Sequence, residues 1–316
     1  MLTLSKHLAF KPFDKLRVTS YFYQLAVNCF LQKEFTLEPM KKLLILYLSL
    51  LVFQFSHASG DNFSAGARCA AMGDASITNA DVFSTTTNQA GIAFMNNYSV
   101  GIYTDRKFLN AAINNFNGAV VIPVNNKIGT FGLSANYYGY KYYNETKIGL
   151  AYARKFGEKF SIGLQFDFLR MMIFENGSKN FYTLELGFQY KPWKVLTLGA
   201  HIYNPIPYKV DKIFNDRLPT VIKFGVGYEP SPKVLLAAEY EQDIHYKPRF
   251  KGGIEYRPIK YFHIRAGAQT TPFSASFGFG VNVKGLNIDL ASSYHAVLGF
   301  TPQLALIYSF TKKQKK

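Results

Sequence analysis

Residues 160–168 read FSIGLQFDF, and residues 182–190 read YTLELGFQY. In both stretches a large apolar side chain fills every second position, and Ser, Gly, Gln, Asp, Thr and Glu fill the positions between. Residues 273–283, FSASFGFGVNV, repeat the pattern. Because successive side chains of a β-strand point to opposite faces, this period predicts strands with one large apolar face and one small or polar face.

Two folds have such faces, and a soluble β-sandwich is the alternative to a barrel. The polar face here is rich in Gly and Ser and carries isolated charges, as a barrel lumen does. The apolar face is rich in Phe and Leu and ends in Tyr, as a lipid-facing band with aromatic girdles does. With 29 Phe and 22 Tyr in 316 residues, the composition also favours strands over helices. We therefore predict an all-β fold, a transmembrane antiparallel β-barrel.

The alternating segments predict about 14 strands. They lie near 97–104, 109–123, 128–138, 146–155, 159–169, 180–190, 194–203, 219–228, 233–242, 249–257, 260–270, 272–283, 286–295 and 302–310. Short connections alternate with long ones, and the long ones include Gly139–Glu145, Arg170–Lys179 and Asn204–Leu218. Outer-membrane barrels have short periplasmic turns and longer external loops, so we expect an outer-membrane location in a Gram-negative envelope. Because the strand count is even, we expect both barrel ends, the start of the first strand and the end of the last, to be periplasmic.

The first part of the chain has the pattern of an export signal. Lys41 and Lys42 precede an apolar run, Leu43–Phe53, and Ser56-His57-Ala58 then fits a small-x-small cleavage site. We expect residues 1–39, which precede this pattern, to be a start-site artefact or an extended leader. The predicted organisation is a signal peptide over 40–58, a hatch segment over 59–96 and the barrel over 97–316.

The hatch segment shows no strand period and is dominated by small residues. Within it, Asn88-Gln89-Ala90-Gly91 is expected to form a tight turn, because Asn and Gly tolerate turn conformations. Irregular backbone cannot face lipid, since its polar groups would lack hydrogen-bond partners there. We therefore expect the hatch to lie in the lumen and to act as a plug.

Short motifs at both ends of the chain carry a family resemblance. They are Gly66-Ala67-Arg68, Ala71-Met72-Gly73-Asp74-Ala75, Asn79-Ala80-Asp81 and Asn88-Gln89-Ala90-Gly91-Ile92-Ala93, then Tyr294-His295, Leu298-Gly299-Phe300-Thr301-Pro302 and Ser309-Phe310. Together they resemble the PorV/PorQ family, which is similar in fold to the FadL-type fatty-acid transporters. The resemblance implies an entry segment ahead of a barrel of 14 strands, and either handling of secreted cargo or passage of hydrophobic small molecules. Gln89 stands where the family has Pro, and we expect it to relax the turn.

The polar face supplies candidate functional side chains in the lumen. The central polar network is predicted to comprise Asp167, Glu185, His201, Glu239, Glu255 and Arg265. In the hairpin 249–270, Glu255 and Arg265 have the same face parity and can pair across the turn. The network either fills the barrel with ion pairs or forms a binding site.

Several function classes find no support in the sequence. The His residues lack metal-ligand spacing, no nucleophile elbow occurs, and the glycines form no phosphate loop. We therefore expect no enzyme activity, no metal and no cofactor. The net charge of +16 could indicate nucleic acid, but an outer-membrane location argues against it. Many lysines instead lie at strand ends, as interfacial anchors do.

Two function classes remain. The first is a type IX secretion-linked or partner-binding barrel, whose partners are other secretion or envelope proteins. The alternative is a FadL-like transporter of a hydrophobic ligand. In both cases the barrel wall contacts outer-membrane lipid. A dry cavity lined by Phe, Leu or Met favours transport, whereas a plugged, ion-paired lumen favours partner binding.

Overall fold

The computed structural model describes residues 66–110, 113–125, 128–175, 177–206, 218–244 and 246–310. The chain divides into two units, Met1–Ala58 and Ser59–Lys316, and the described residues all belong to the second. The predicted leader over 1–39, the signal peptide over 40–58 and the first residues of the hatch lie outside the described residues.

Fourteen antiparallel strands form a closed barrel, in which each strand pairs with its neighbours in sequence and the last pairs with the first. They are β1 (Tyr98–Arg106), β2 (Asn114–Asn125), β3 (Gly129–Tyr140), β4 (Tyr143–Phe156), β5 (Phe160–Ile173), β6 (Gly177–Trp193), β7 (Leu196–Tyr203), β8 (Val221–Ser231), β9 (Val234–Asp243), β10 (Arg249–Ile259), β11 (Phe262–Gln269), β12 (Ser274–Val283), β13 (Leu286–His295) and β14 (Gly299–Phe310). This architecture confirms the predicted fold class and strand number.

The two-residue period carries across the pairing of β5 with β6. Gln165 lies opposite Glu185, and Leu164 lies opposite Leu186. Like faces therefore join side by side, so that a polar surface and an apolar surface each run around the barrel.

Burial shows which surface faces inward. The side chains of Gln165 and Glu185 are fully buried, whereas Leu164 is 45% exposed and Phe166 is 49% exposed. A soluble sandwich would bury its apolar face, so this inverted burial excludes it. The large apolar side chains form the outer wall, as the hydrocarbon of a bilayer requires, and the polar residues line the lumen.

The two ends of the barrel differ. The end at which β1 begins and β14 ends, here called the short-turn end, carries tight connections such as those between β6 and β7 and between β12 and β13. At the opposite, long-loop end, two predicted loops are wrong. Gly139–Glu145 and Arg170–Lys179 are mostly strand, because backbone pairing continues past them, as between Gly139 and Asn144. The connection after β7 is long, as predicted.

The hatch lies inside the barrel. Its described part contains helix α1 (Ala67–Ala71), helix α2 (Ser84–Thr87) and a 3-10 helix (Gln89–Phe94). Apolar hatch side chains such as Val82 and Ile92 are fully buried in one cluster with wall residues that include Ala151. Within the described part of the chain, no helix is long and apolar enough to cross a membrane.

The facing of the wall predicts the effect of an added charge. Leu164→Arg, near the middle of the outer face of β5, should cost about 2–4 kcal/mol of unfolding free energy, because an arginine there must enter hydrocarbon. Tyr190→Arg, on the outer face of β6 near the short-turn end, should cost about 0–1 kcal/mol of unfolding free energy. Urea titration in liposomes measures both, and equal losses at the two positions would contradict the assignment of Leu164 to the middle of the bilayer and Tyr190 to its boundary.

Candidate functional site: the hatch in the lumen

Lumen-facing glycines make room for the hatch. A Cβ atom added at any of them would lie 2.2–2.8 Å from a hatch atom, which is closer than real contacts allow. This glycine belt comprises Gly101, Gly132, Gly163, Gly187, Gly199, Gly225, Gly227, Gly253, Gly267 and Gly278. The belt is therefore shaped to the hatch, whose backbone or side chains fill the space that a Cβ atom would need.

The motif around Met72 and Gly73 lies against β10 and β11. Gly73 has a φ of +65°, a conformation that glycine adopts without steric cost. Its N–H donates to Ser276 Oγ on β12 at 2.9 Å. Gly253 and Gly267 of the belt lie beneath the backbone of Met72 and Gly73, so the absence of a Cβ on the wall lets the hatch backbone approach it closely.

The segment Asn88-Gln89-Ala90-Gly91 forms the start of the 3-10 helix. The Gly91 N–H donates to the Asn88 carbonyl at 2.9 Å, and Asn88 Oδ1 accepts from the Ala90 N–H at 3.2 Å. That Gln89 relaxes this turn relative to proline stays a prediction, and the structure gives its side chain a further role. Its side chain is fully buried, and its Nε2 donates to Glu185 Oε2 at 2.6 Å, so the residue that replaces proline fastens the hatch to β6.

Glu185 is the centre of the first of three charged clusters. His201 Nε2 lies 2.9 Å from Glu185 Oε2, and Lys147 Nζ contacts Glu185 Oε1. The same ammonium lies 3.7 Å from Asp167 Oδ2. The buried ammonium of Lys147 thus lies between two buried carboxylates, and this pairing offsets part of the cost of removing the charges from water.

The second cluster holds the hatch through Glu239. Its Oε2 accepts from the backbone N–H groups of Ser76 at 2.8 Å and Ile77 at 3.0 Å. Its Oε1 lies 3.2 Å from Lys251 Nζ, and that ammonium also binds Glu241 Oε2 at 2.8 Å. One wall carboxylate thus binds both a wall cation and the hatch.

The third cluster surrounds Glu255. The guanidinium Nε atoms of Arg265 on β11 and Arg68 on the hatch lie 2.7 and 2.9 Å from its Oε2. Arg265 Nη1 also binds Asp289 Oδ1 at 2.6 Å. Glu255 and Arg265 lie opposite each other in the hairpin. As in the first two clusters, a wall carboxylate is shared between the wall and the hatch.

Two titratable groups of the hatch respond to burial. Burial raises the pKa of the Cys69 thiol, and the nearby Asp74 carboxylate raises it further, so this thiol stays protonated and unreactive. Burial also raises the pKa of the Asp81 carboxyl, and the guanidinium of Arg68, whose Nη1 lies 3.5 Å from Asp81 Oδ2, opposes that shift.

The six residues predicted as one polar network lie in these three clusters. Asp167, Glu185 and His201 share the first, Glu239 lies in the second, and Glu255 and Arg265 share the third. Sequence reasoning missed Lys147 and Arg68. Lys147 was detectable, since it has the same parity as Gly149, Ala151 and Ala153 on β4. Among the described His, Cys, Asp and Glu residues, no group of three could hold a metal ion.

A further apolar cluster lies in the lumen towards the long-loop end. The sequence analysis did not identify it. Leu169, Phe181 and Leu218 are buried together, with Met171 packed against them. Leu169 on β5 lies opposite Lys147, so the cluster adjoins the first charged cluster.

A cleft of about 620 Å³ opens at the tips of the two neighbouring hairpins at this end. It is lined by Tyr140, Tyr142, Tyr143, Ile173, Phe174 and Glu175. The rings of Tyr142 and Phe174 meet edge to face, with centroids 5.4 Å apart. The cleft therefore offers aromatic surface beside the mouth of the barrel.

The closed barrel of 14 antiparallel strands is similar in fold to FadL-like outer-membrane barrels of known structure. The toluene transporter TbuX of Ralstonia pickettii aligns with a TM-score of 0.62 at 13% identity, over 79% of this chain and 100% of that one. The toluene transporter TodX of Pseudomonas putida aligns at 0.56 and 11% identity, over 80% and 99%. A FadL homologue of Pseudomonas aeruginosa aligns at 0.53 and 13% identity, over 78% and 97%. No family model and no curated protein matches the chain.

The glycine belt predicts where a single methyl group disturbs the hatch. In Gly163→Ala the new Cβ would lie 2.4 Å from the backbone of Gln89 and Ala90, which cannot rotate away. We expect a loss of about 1–3 kcal/mol in urea titration, as overpacking causes, and easier proteolysis of the hatch.

Gly118→Ala is the matched control, since nothing lies within 4 Å of its added Cβ. Because glycine weakens a strand, this variant should be unchanged or more stable by up to about 1 kcal/mol. Equal losses in the two variants would show that the belt does not seat the hatch.

Proposed function

We propose that this chain is an outer-membrane barrel that passes small hydrophobic molecules, and that it performs no catalysis. The observation that carries the proposal is the apolar cluster of Leu169, Phe181, Leu218 and Met171, which lies in the lumen towards the long-loop end and beside the first charged cluster. Apolar side chains in a barrel lumen offer neither hydrogen bonds nor charges to water or ions. They suit a ligand that gains free energy by leaving water.

The aromatic cleft and the apolar cluster together suggest the first part of a route. A hydrophobic molecule would collect on the exposed rings of Tyr142 and Phe174 and then reach Leu169 and Phe181. Removing apolar surface from water contributes about 25 cal/mol per Å², so even a small ligand gains several kcal/mol on this path. On this proposal the long-loop end faces outward, and the short-turn end, where β1 begins and β14 ends, is periplasmic.

The charged clusters limit what can pass further. Lys147, Asp167 and Glu185 lie next to the apolar cluster and are all buried, and the hatch is bound to Glu185 through Gln89. An apolar ligand cannot replace these ionic contacts, so onward passage requires the 3-10 helix of the hatch to move. A lumen closed in this way favours a selective transporter over an open porin. The fold likeness to the toluene transporters supports the same conclusion.

The proposal predicts that a polar side chain in the apolar cluster slows uptake. In Phe181→Gln a buried amide would face an apolar ligand at a cost of about 1–3 kcal/mol, which corresponds to a rate roughly 5- to 150-fold lower. Tyr182→Gln is the matched control, since the neighbouring Tyr182 is 64% exposed on the outer wall. The measurement is the initial uptake of radiolabelled toluene by cells whose outer membrane carries each variant. Equal uptake by cells with and without the wild-type chain would refute the transport function.

The second candidate function is that of a partner-binding barrel of the PorV/PorQ type, linked to type IX secretion. The closed lumen favours it, because three hatch anchors at Glu185, Glu239 and Glu255 leave the axis of the barrel filled. This function predicts that the chain, purified with mild detergent from its native outer membrane, carries a stoichiometric set of envelope proteins while showing no uptake. Purification of the chain alone would count against it.

A further inference from the structure

The short-turn end carries one exposed lysine at each of five turns. These lysines lie at the connections β4–β5, β6–β7, β8–β9, β10–β11 and β12–β13. They are Lys159, Lys194, Lys233, Lys260 and Lys284 and are called the lysine ring here. Their repetition at equivalent positions around the barrel distinguishes them from scattered surface charge.

The lysine ring is not neutralised by the protein. The exposed carboxylates beside it are already engaged, Glu158 with Lys155 at 3.6 Å and Glu229 with Arg257 at 3.7 Å. Among the residues that the structure describes, no carboxylate lies within ion-pair distance of any ring lysine. The short-turn end therefore presents a ring of positive charge that needs an external counter-charge.

Exposed aromatic side chains indicate the depth of the lysine ring relative to a bilayer. Trp193 directly precedes Lys194 and is 66% exposed, and Tyr261 directly follows Lys260 and is 55% exposed. Trp and Tyr on the outside of membrane proteins concentrate at the boundary between hydrocarbon and headgroups. Lysines adjacent to them lie at the depth of the lipid phosphates.

From this placement we propose that the lysine ring binds the phosphate groups of anionic phospholipids in the leaflet at the short-turn end. A lysine ammonium is a compact point charge that binds phosphate without fixed geometry, as a mobile lipid headgroup requires. Near an anionic membrane surface each lysine strengthens the attraction about fivefold. The ring would thus gather a shell of anionic lipid around one end of the barrel.

The chain contains a built-in reporter of this shell. Trp193 is the single Trp of the sequence and is adjacent to Lys194. The protein is reconstituted in vesicles of phosphatidylcholine and phosphatidylglycerol in which only one of the two lipids carries brominated chains, which quench Trp fluorescence on contact. We expect brominated phosphatidylglycerol to quench Trp193 more than brominated phosphatidylcholine at the same mole fraction.

The paired variant Lys194→Gln/Lys233→Gln removes the two ring charges on the turns that follow β6 and β8. It should abolish the excess quenching by phosphatidylglycerol. The control Arg106→Gln/Lys247→Gln removes two exposed charges at the long-loop end and should retain it. Heat-modified gel mobility checks that each variant is folded, and added salt should reduce the excess in the wild type.

Three results would overturn the proposal. The first is equal quenching by the two lipids in the wild type, which would leave the ring free to bind an acidic protein surface. The second is loss of the excess in the control variant as well, which would indicate net charge and no ring. The third is removal of the excess by inorganic phosphate but not by chloride at equal ionic strength, which would identify free phosphate as the ligand.

Discussion

The structure depends on one constraint: a backbone amide or carbonyl that faces hydrocarbon must have a hydrogen-bond partner within the protein. A sheet meets this constraint only if it has no edge, and the pairing of β1 with β14 removes the edge. Once the sheet is closed, its two faces have separate environments. The outer face becomes apolar because it meets lipid, and every polar group that the fold needs must point inward.

The lumen then has to satisfy a crowded set of buried charges. The protein does so by sharing wall carboxylates between a wall cation and the hatch, as at Glu185, Glu239 and Glu255. Each carboxylate would be left partly unsatisfied if the hatch were withdrawn, which costs free energy in a buried setting. The hatch is thus held by charge at three points and by shape along the glycine belt, and the apolar cluster beside Lys147 lies beyond this bound region.

The strands of the wall could be predicted from the sequence, whereas the contacts within the lumen could not. The alternation in residues such as 160–168 is imposed by lipid on one side, so the fold and strand number could be predicted. It contains no information on how far a strand projects beyond the bilayer, which is why the strand pairing of Gly139 with Asn144 was taken for a loop. The apolar cluster was missed for the same reason, since Leu169 was taken as the end of its strand.

Contacts of the hatch could not be predicted because its path follows no period. Gln89 illustrates this limit: an effect on local backbone freedom could be expected from the sequence, whereas its hydrogen bond to Glu185, which is distant in sequence, could not. The hatch also reaches β6 through Gln89, β10 through Arg68 and β12 through Gly73, three strands that do not pair with one another. A segment that contributes no strand thus links hairpins that the sheet itself keeps apart, so a change at one hairpin can be felt at another through the hatch.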